Sequence, residues 1–269
     1  HAGASMAANM AQPPSTMDIN CDLGEGFGNW VMGADAEIMP LITTANVACA
    51  FHGGDPVIMA RTVELADRHG VVVGAHPGYH DLEGFGRRMI PLEPDEIEAL
   101  VTYQVGALTG FLTARGMPLH HVKPHGALYA YLRDNQEAGA AAAAAVHRLA
   151  PETRVYWPAP TQGAAFCEEL GALGHEVIGE IYPDLSYSPE GKLIIQRRKL
   201  KTDLAFAAAQ VKRFLAEGVV AAEDGTLIHR EARSVCIHSD GPNAVDVAHA
   251  VRAAITESGA SIAAIGSAA

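Results

Sequence analysis

The sequence predicts an α/β fold, a seven-stranded parallel β/α barrel in a single TIM-like domain, and three observations carry that prediction. Short β-branched runs alternate with longer helical patterns, as parallel strands joined by crossover helices do. No break in composition divides the 269 residues, a length that α/β barrels commonly occupy as one domain. Reactive side chains stand at the ends of five strand runs, and a closed barrel brings all five ends to one mouth. In an open sheet, at ~4.8 Å per strand, the outer strands would lie roughly 20 Å or more apart. Periodicity alone does not choose between the two.

Residues 1–16 are small and polar with two prolines. Lacking a basic start and an apolar run, they read as a tag or loose start to a domain at 17–269, not as a signal peptide. The first strand run is 17–23 and the second 45–50. Asp55-Pro56 then gives an N-cap and a first-turn proline to a helix over 57–69, which Gly70 stops. Strand 71–75 follows, and Pro94-Asp95-Glu96 opens a helix that ends near Gly116. Strand 120–122 leads into one helix over about 127–149, whose alanine run is an excellent helix former. Strand 154–157, helix 162–173 and strand 176–179 continue the rhythm. Residues 181–200 interrupt it: Pro183, Pro189 and Gly191 break any helix, 192–196 has strand character, and a hairpin-like excursion is expected. Helix 202–217, strand 234–237 and helix 243–258 complete the pattern.

The balance of 19 Lys+Arg against 31 Asp+Glu, a net −12, gives the molecule as a whole no electrostatic basis for gripping nucleic acid or an anionic membrane. No nucleic-acid or membrane partner is expected, and no apolar run reaches the ~18 to 20 residues that a bilayer requires. Cys21, Cys49, Cys167 and Cys236 are dispersed without a CxxC pair, which points to a reducing, cytoplasmic compartment. Neither GxSxG, P-loop, HExxH nor GxGxxG occurs, so serine-hydrolase and P-loop chemistry lose their usual sequence support.

Candidate site residues cluster in five stretches. In Asp18-Ile-Asn-Cys-Asp-Leu-Gly-Glu-Gly-Phe-Gly28, alternation puts Asp18, Asn20 and Asp22 on one strand face, where they need a ligand, a metal or each other. Glu25 and glycines that allow close backbone approach follow at once. In Asn46-Val-Ala-Cys-Ala-Phe-His-Gly-Gly-Asp-Pro56, His52 precedes a Gly53-Gly54 step whose N–H groups suit a carboxylate or phosphate; Asp55 reads equally as a helix cap. Gly74-Ala-His-Pro-Gly-Tyr79 supplies His76, with Tyr79, His80 and Asp81 as rim residues. In Val122-Lys-Pro-His-Gly-Ala-Leu-Tyr129, Lys123 must meet an anion or a carboxylate such as Asp22 or Glu25, beside His125. Of His120 and His121, one faces outward. Cys236-Ile-His-Ser-Asp240 offers His238, divided between site and core, and Asp240, mainly a turn or cap residue. Arg87 and Arg88 are available to clamp an anion.

In this order the five stretches resemble the LamB/YcsF family, over about residues 17–258. The resemblance implies a deacetylase-type seven-stranded barrel with Asp22, Glu25, His52, His76, Lys123 and His125 at its mouth. It further implies ATP-dependent opening of the lactam ring of 5-oxoproline to L-glutamate, with ATP and Mg2+, as one subunit of a 5-oxoprolinase with partner subunits B and C; it leaves room for a homo-oligomer. Ala50 stands where the family usually has Gly, His238-Ser-Asp where His-Gly-Asp is commoner, and Leu185, in Glu180-Ile-Tyr-Pro-Asp-Leu-Ser-Tyr187, where it usually has Arg. If that Arg holds the substrate carboxylate, this chain serves a different lactam or amide.

The expected mechanism activates the carbonyl oxygen by phosphorylation. Lys123 stabilises the developing charge, Asp22 or Glu25 with His125 manages protons and water, and His52 with Gly53-Gly54 positions the anionic group; Asn20, Asp55, His76 and His238 complete the binding set. A metal-dependent hydrolase, with a divalent ion on Asp22, His52 and His76 or His125, is the alternative within enzymes. A lactam-binding subunit with the chemistry in its partners is the alternative outside them.

Overall fold

Along residues 17–23, Ile19, Cys21 and Leu23 alternate with Asn20 and Asp22, and a pleated strand must turn the two sets to opposite faces. In the computed structural model, which describes residues 14–195 and 199–266, both faces of this strand, β1 (Thr16–Leu23), are buried from Met17 onward. The apolar set joins the core beneath the helices, and the polar set lines the inside of a barrel.

After β1 come α1 (Asp35–Ile38), a 3₁₀ turn (Met39–Leu41), β2 (Thr44–Ala48), α2 (Pro56–His69), β3 (Val72–His76) and α3 (Pro94–Thr113). Then follow β4 (His121–Val122), α4 (Gly126–Asp134), α5 (Gln136–Leu149), β5 (Arg154–Pro158), α6 (Ala165–Ala172) and β6 (Val177–Ile181). The last part holds β7 (Ser186–Tyr187), β8 (Leu193–Ile194), α7 (Leu204–Glu217), β9 (Val219–Ala221), β10 (Leu227–His229), β11 (Ser234–His238), α8 (Ala244–Glu257) and β12 (Ser261–Ile262). Parallel pairing runs from β1 through β6 to β11, and β11 returns to β1 in register from Asp18–Ser234 to Asp22–His238. That pairing closes a seven-stranded parallel barrel, the architecture expected from the convergence of strand-end residues.

The helices lay apolar stripes on the outside of this sheet. α2 buries Met59, Val63 and Ala66, and α3 buries Ile97, Val101, Val105, Leu108 and Leu112; each large aliphatic side chain so covered contributes roughly 1.5–3 kcal/mol. Inside the barrel the stack is polar. At its base the Asp18 carboxylate accepts from Thr43 and Thr44 at 2.6 and 2.5 Å and from Ser234 at 2.5 Å. One layer up, Asn46 donates to both Asn20 and Asp22, and His121 meets Asn46 Oδ1 at 2.6 Å. Hydrogen bonding lets these groups be buried at tolerable cost.

Local outcomes differ from expectation at several points and match it at others. The single helix over 127–149 is two, because Asn135 caps a fresh start by accepting from Ala138 N. The second strand ends at Ala48 rather than 50, since Ala50 turns into the left-handed region at φ +67°. The hairpin β9–β10 and the strand β12, parallel to the start of β1, are additions. The expected excursion over 181–200 is the antiparallel pair β7–β8, with 196–198 outside the described residues. Of the expected loose start, 1–13 lies outside them too, while Ser15 and Thr16 are already bonded to Ser261.

Candidate active site

The C-terminal ends of the parallel strands open on a cavity of about 930 Å³. Asp22, Glu25, His76, Lys123, His125 and His238 all line it, although they come from four different strand ends. Lys123 sits on its floor and is almost fully buried. Its ammonium lies 3.1 Å from Glu180, 3.4 Å from Asp22, 3.2 Å from Asn20 Oδ1 and 3.1 Å from Cys236 Sγ. Burial pulls this ammonium down, but Asp22 and Glu180 more than offset that and hold it well above its ordinary value. Reciprocally, burial raises Asp22, while His76 and Lys123 outweigh it and keep the carboxylate well below its usual range. The pair is ionised.

Glu25 lies in the opposite environment. Burial, with Asp22 nearby, pushes it well above the usual carboxylate range. Its Oε1 is 3.0 Å from His52 Nε2 and 3.8 Å from His125 Nδ1, and the rings of His52 and His125 stack at 3.7 Å. Burial lowers both imidazoles well below their ordinary value, so they are neutral. Two carboxylates, one at the end of β1 and one in the loop that follows it, are thus pushed apart in proton affinity, as acid and base roles require.

Glu25, His52, His76 and His125 could together hold a metal ion, each offering one ligand atom within 4.8 Å of the others. The proton arithmetic supports the fit. His76 Nδ1 is 2.6 Å from the carbonyl oxygen of Lys123, and His125 Nε2 is 2.8 Å from that of Phe85. A carbonyl oxygen only accepts, so both of those nitrogens carry hydrogen. His125, held neutral by burial, keeps a lone pair on Nδ1, and that atom faces His76 Nε2 at 3.0 Å. Imidazoles whose far N–H is tied to a carbonyl are what metal ligands present. His52 Nδ1 is buried without a hydrogen-bond partner among the described residues. The carboxylate of this cluster is Glu25, not Asp22 as the metal alternative had it; Asp22 groups instead with Cys236 and His238.

Several expected binding residues are placed elsewhere. Asn20 is fully buried beneath the cavity, donating to Glu180 and Ser234, and it braces Lys123. Gly53 and Gly54 face the loop after β1, where a Cβ would come within 2.9 Å of the Glu25 carbonyl and 2.7 Å of that of Gly24. They let two backbones touch, and they present no anion nest to the cavity. Asp55 caps α2, accepting from Val57 and Ile58 at 2.8 and 2.9 Å and from Gly28 at 2.8 Å. His52 points at Glu25 and does not line the cavity. Asp81 is buried and pairs with Arg88, so that of this adjacent pair Arg87 lines the cavity and Arg88 does not. His121 is the inward member of its pair.

Sequence reasoning missed Glu180, Tyr182 and Asp184, which recur at every second position where β6 runs out and therefore share a face. That period was the available signal. Tyr182 donates to Glu180, and Asp184 Oδ2 accepts from both the backbone N–H and Nδ1 of His238, at 3.0 and 2.8 Å. Phe85 was also missed. It is held at φ +54°, a rare conformation for an aromatic residue, and so offers its carbonyl to His125. Beside it Gly86 is obligatory, since a Cβ there would come within 2.7 Å of His52 and 2.9 Å of His125.

Comparison with known proteins gives the same fold. The A-type component of 5-oxoprolinase from Staphylococcus carnosus is 41% identical over 252 residues, covering 93% of this chain and 99% of the relative. Its counterpart from Thermus thermophilus is 44% identical over 248 residues, covering 91% and 98%. The crystal structure of a lactam utilization protein from Thermus thermophilus superposes with a TM-score of 0.84 at 43% identity, over 93% of this chain and 100% of that one. The model of the LamB/YcsF family matches residues 17–269, and the chain belongs to that family.

Proposed function

We propose that this chain opens the lactam ring of 5-oxoproline to L-glutamate as one subunit of an ATP-hydrolysing 5-oxoprolinase, with B- and C-type subunits for partners and the cytoplasm as its compartment. The observation that carries the reading is the buried Lys123 ammonium 3.4 Å from Asp22, in one cavity with Glu25, in a chain whose relatives are named as the A-type component of 5-oxoprolinase. A five-membered lactam is a poor electrophile in water; transfer of the γ-phosphoryl group of ATP, with Mg2+, to its carbonyl oxygen would release ADP, after which water adds at that carbon, the ring C–N bond breaks as the nitrogen takes a proton, and phosphate leaves. Lys123 meets the negative charge that develops on that oxygen or its phosphate. Asp22 and Glu180 keep the ammonium charged, and Asn20 fixes its position. Glu25, with His125, gives or takes the proton that ring opening moves. Replacing Lys123 with Met is expected to lower turnover by ~10²-fold or more, assayed with ATP and the partner subunits on a variant whose melting is checked. Unchanged turnover rejects this role.

The grouping of three imidazoles with Glu25 favours a second reading, hydrolysis assisted by a divalent metal. Glu25, His52, His76 and His125 would hold the ion, which when bound acts as a Lewis acid toward a carbonyl or a water. Stoichiometric metal with ATP-independent, chelator-sensitive hydrolysis supports this reading, and a metal-free preparation that remains fully active removes it.

A further inference from the structure

The rim of the cavity carries charge that the residues above do not use. Asp240 lies between two cations, its Oδ2 3.8 Å from Arg87 Nη2 and its Oδ1 3.6 Å from Lys199 Nζ. Both separations are too long for hydrogen bonds. The Lys199 side chain is only 10% exposed, and its Nζ, Asp240 Oδ1 and Asp184 Oδ1 are all buried without a hydrogen-bond partner among the described residues. Arg87, Lys199, Asp240 and His238 line the same cavity as Lys123.

Of the other cations nearby, Arg88 is engaged with Asp81, Lys123 with Asp22 and Glu180, and Arg133 with Asp134, while Arg230 donates to the carbonyls of His229 and Gly191 and Lys192 is exposed to solvent. Asp184 is occupied through its other oxygen by His238. Arg87 and Lys199 therefore share one carboxylate at distances that leave donors free, and a buried ammonium without a hydrogen bond is costly unless a ligand completes it. Unused acceptors lie beside the unused donor, so the matching ligand is an anion carrying an N–H next to its charge. In 5-oxoproline the ring nitrogen and the carboxylate are attached to the same carbon. Leu185 also lines this wall and offers no charge.

We propose that Arg87 and Lys199 bind the carboxylate of a lactam acid, with Asp240 accepting from its ring N–H, so that the carbonyl to be opened is directed to Lys123 and Glu25. The assignment rests on the lactam reading above for the identity of the ligand, and on the unsatisfied rim groups for its place. Isothermal titration of the full chain with three probes tests it: 5-oxoproline, 2-pyrrolidinone, which lacks the carboxylate, and cyclopentanecarboxylate, which lacks the lactam. Lys199→Met and Arg87→Met are each expected to weaken 5-oxoproline by about tenfold or more, the worth of a charge-assisted contact, and to leave 2-pyrrolidinone within about twofold. Lys199→Arg keeps most of the affinity, and in turnover the loss falls on KM rather than kcat. Variants that bind 5-oxoproline as tightly as the unaltered chain, or that lose both lactams equally, overturn the assignment and leave the lactam reading standing. Lys199-dependent binding of cyclopentanecarboxylate alone overturns the lactam reading and leaves the anion subsite standing. Binding of none of the three overturns both.

Discussion

Ala50 holds a backbone conformation that L-residues avoid. At φ +67° its Cβ crowds the following carbonyl, at a cost of roughly 1–2 kcal/mol, at the step from β2 to the loop that carries His52. Glycine removes that crowding, offset in part by the extra freedom it brings to the unfolded chain. Ala50→Gly is therefore expected to stabilise the fold by roughly 0.5–1 kcal/mol, read as a higher denaturant midpoint at constant slope; a lower midpoint contradicts the strain. The family resemblance marked this residue as a departure, and its dihedral gives the departure a physical meaning. At this scale much of the cavity floor was legible, because Asp22, Glu25, Lys123 and His125 are ionisable groups at strand ends, where a barrel leaves them few other places. Lys199 was not legible. It lies in a stretch without periodicity, and nothing local to residues 199–202 ties it to Arg87 or Asp240.

Secondary-structure elements hold the loops that carry this chemistry, and α2 shows how. One carboxylate, Asp55, closes the N-terminus of α2 through Val57 and Ile58 and also holds the loop after Glu25 through Gly28. Its hydrogen bonds to Ile58, Gly28 and Val57 lower its proton affinity from the ordinary 3.8. Because the folded value is depressed, the stabilisation is complete well above the ordinary value and is lost as pH falls through the folded one. Asp55→Ala is expected to cost about 1–2 kcal/mol near neutral pH and progressively less as pH falls below the ordinary carboxylate range and the parent's own cap is protonated; thermal melts across pH check it. An equal cost at every pH would assign the loss to packing. The cap of α2 was readable as Asp-Pro before an apolar run. The break between α4 and α5 was not, since the flanking helix formers hide the one residue, Asn135, whose side chain restarts the helix.

Over the whole molecule the unusual feature is a barrel whose interior is a ladder of polar groups from Asp18 at the base to Lys123 and the histidines at the mouth. A ligand that binds only this assembled arrangement adds its binding energy to folding. If Glu25, His52, His76 and His125 take up a divalent ion, an excess of about a hundredfold over its Kd adds ~2.7 kcal/mol, and melting rises by roughly 5–10 °C for a chain of this size. Glu25→Gln should abolish most of that rise; an identical rise in the variant would place the ion elsewhere. Closure of the barrel was inferred from where reactive residues fall, since apolar periodicity suits open and closed sheets alike. The seam itself, β11 on β1, joins residues more than two hundred positions apart, and such pairing leaves no local trace.

β12 lies against the first residues of β1, with the hydroxyls of Thr16 and Ser261 2.7 Å apart. This contact is at the N-terminal end of the strands, on the side away from the cavity mouth. A tether, fluorophore or surface anchor attached near either of these two positions would hold the protein by its foot and leave the entrance unobstructed.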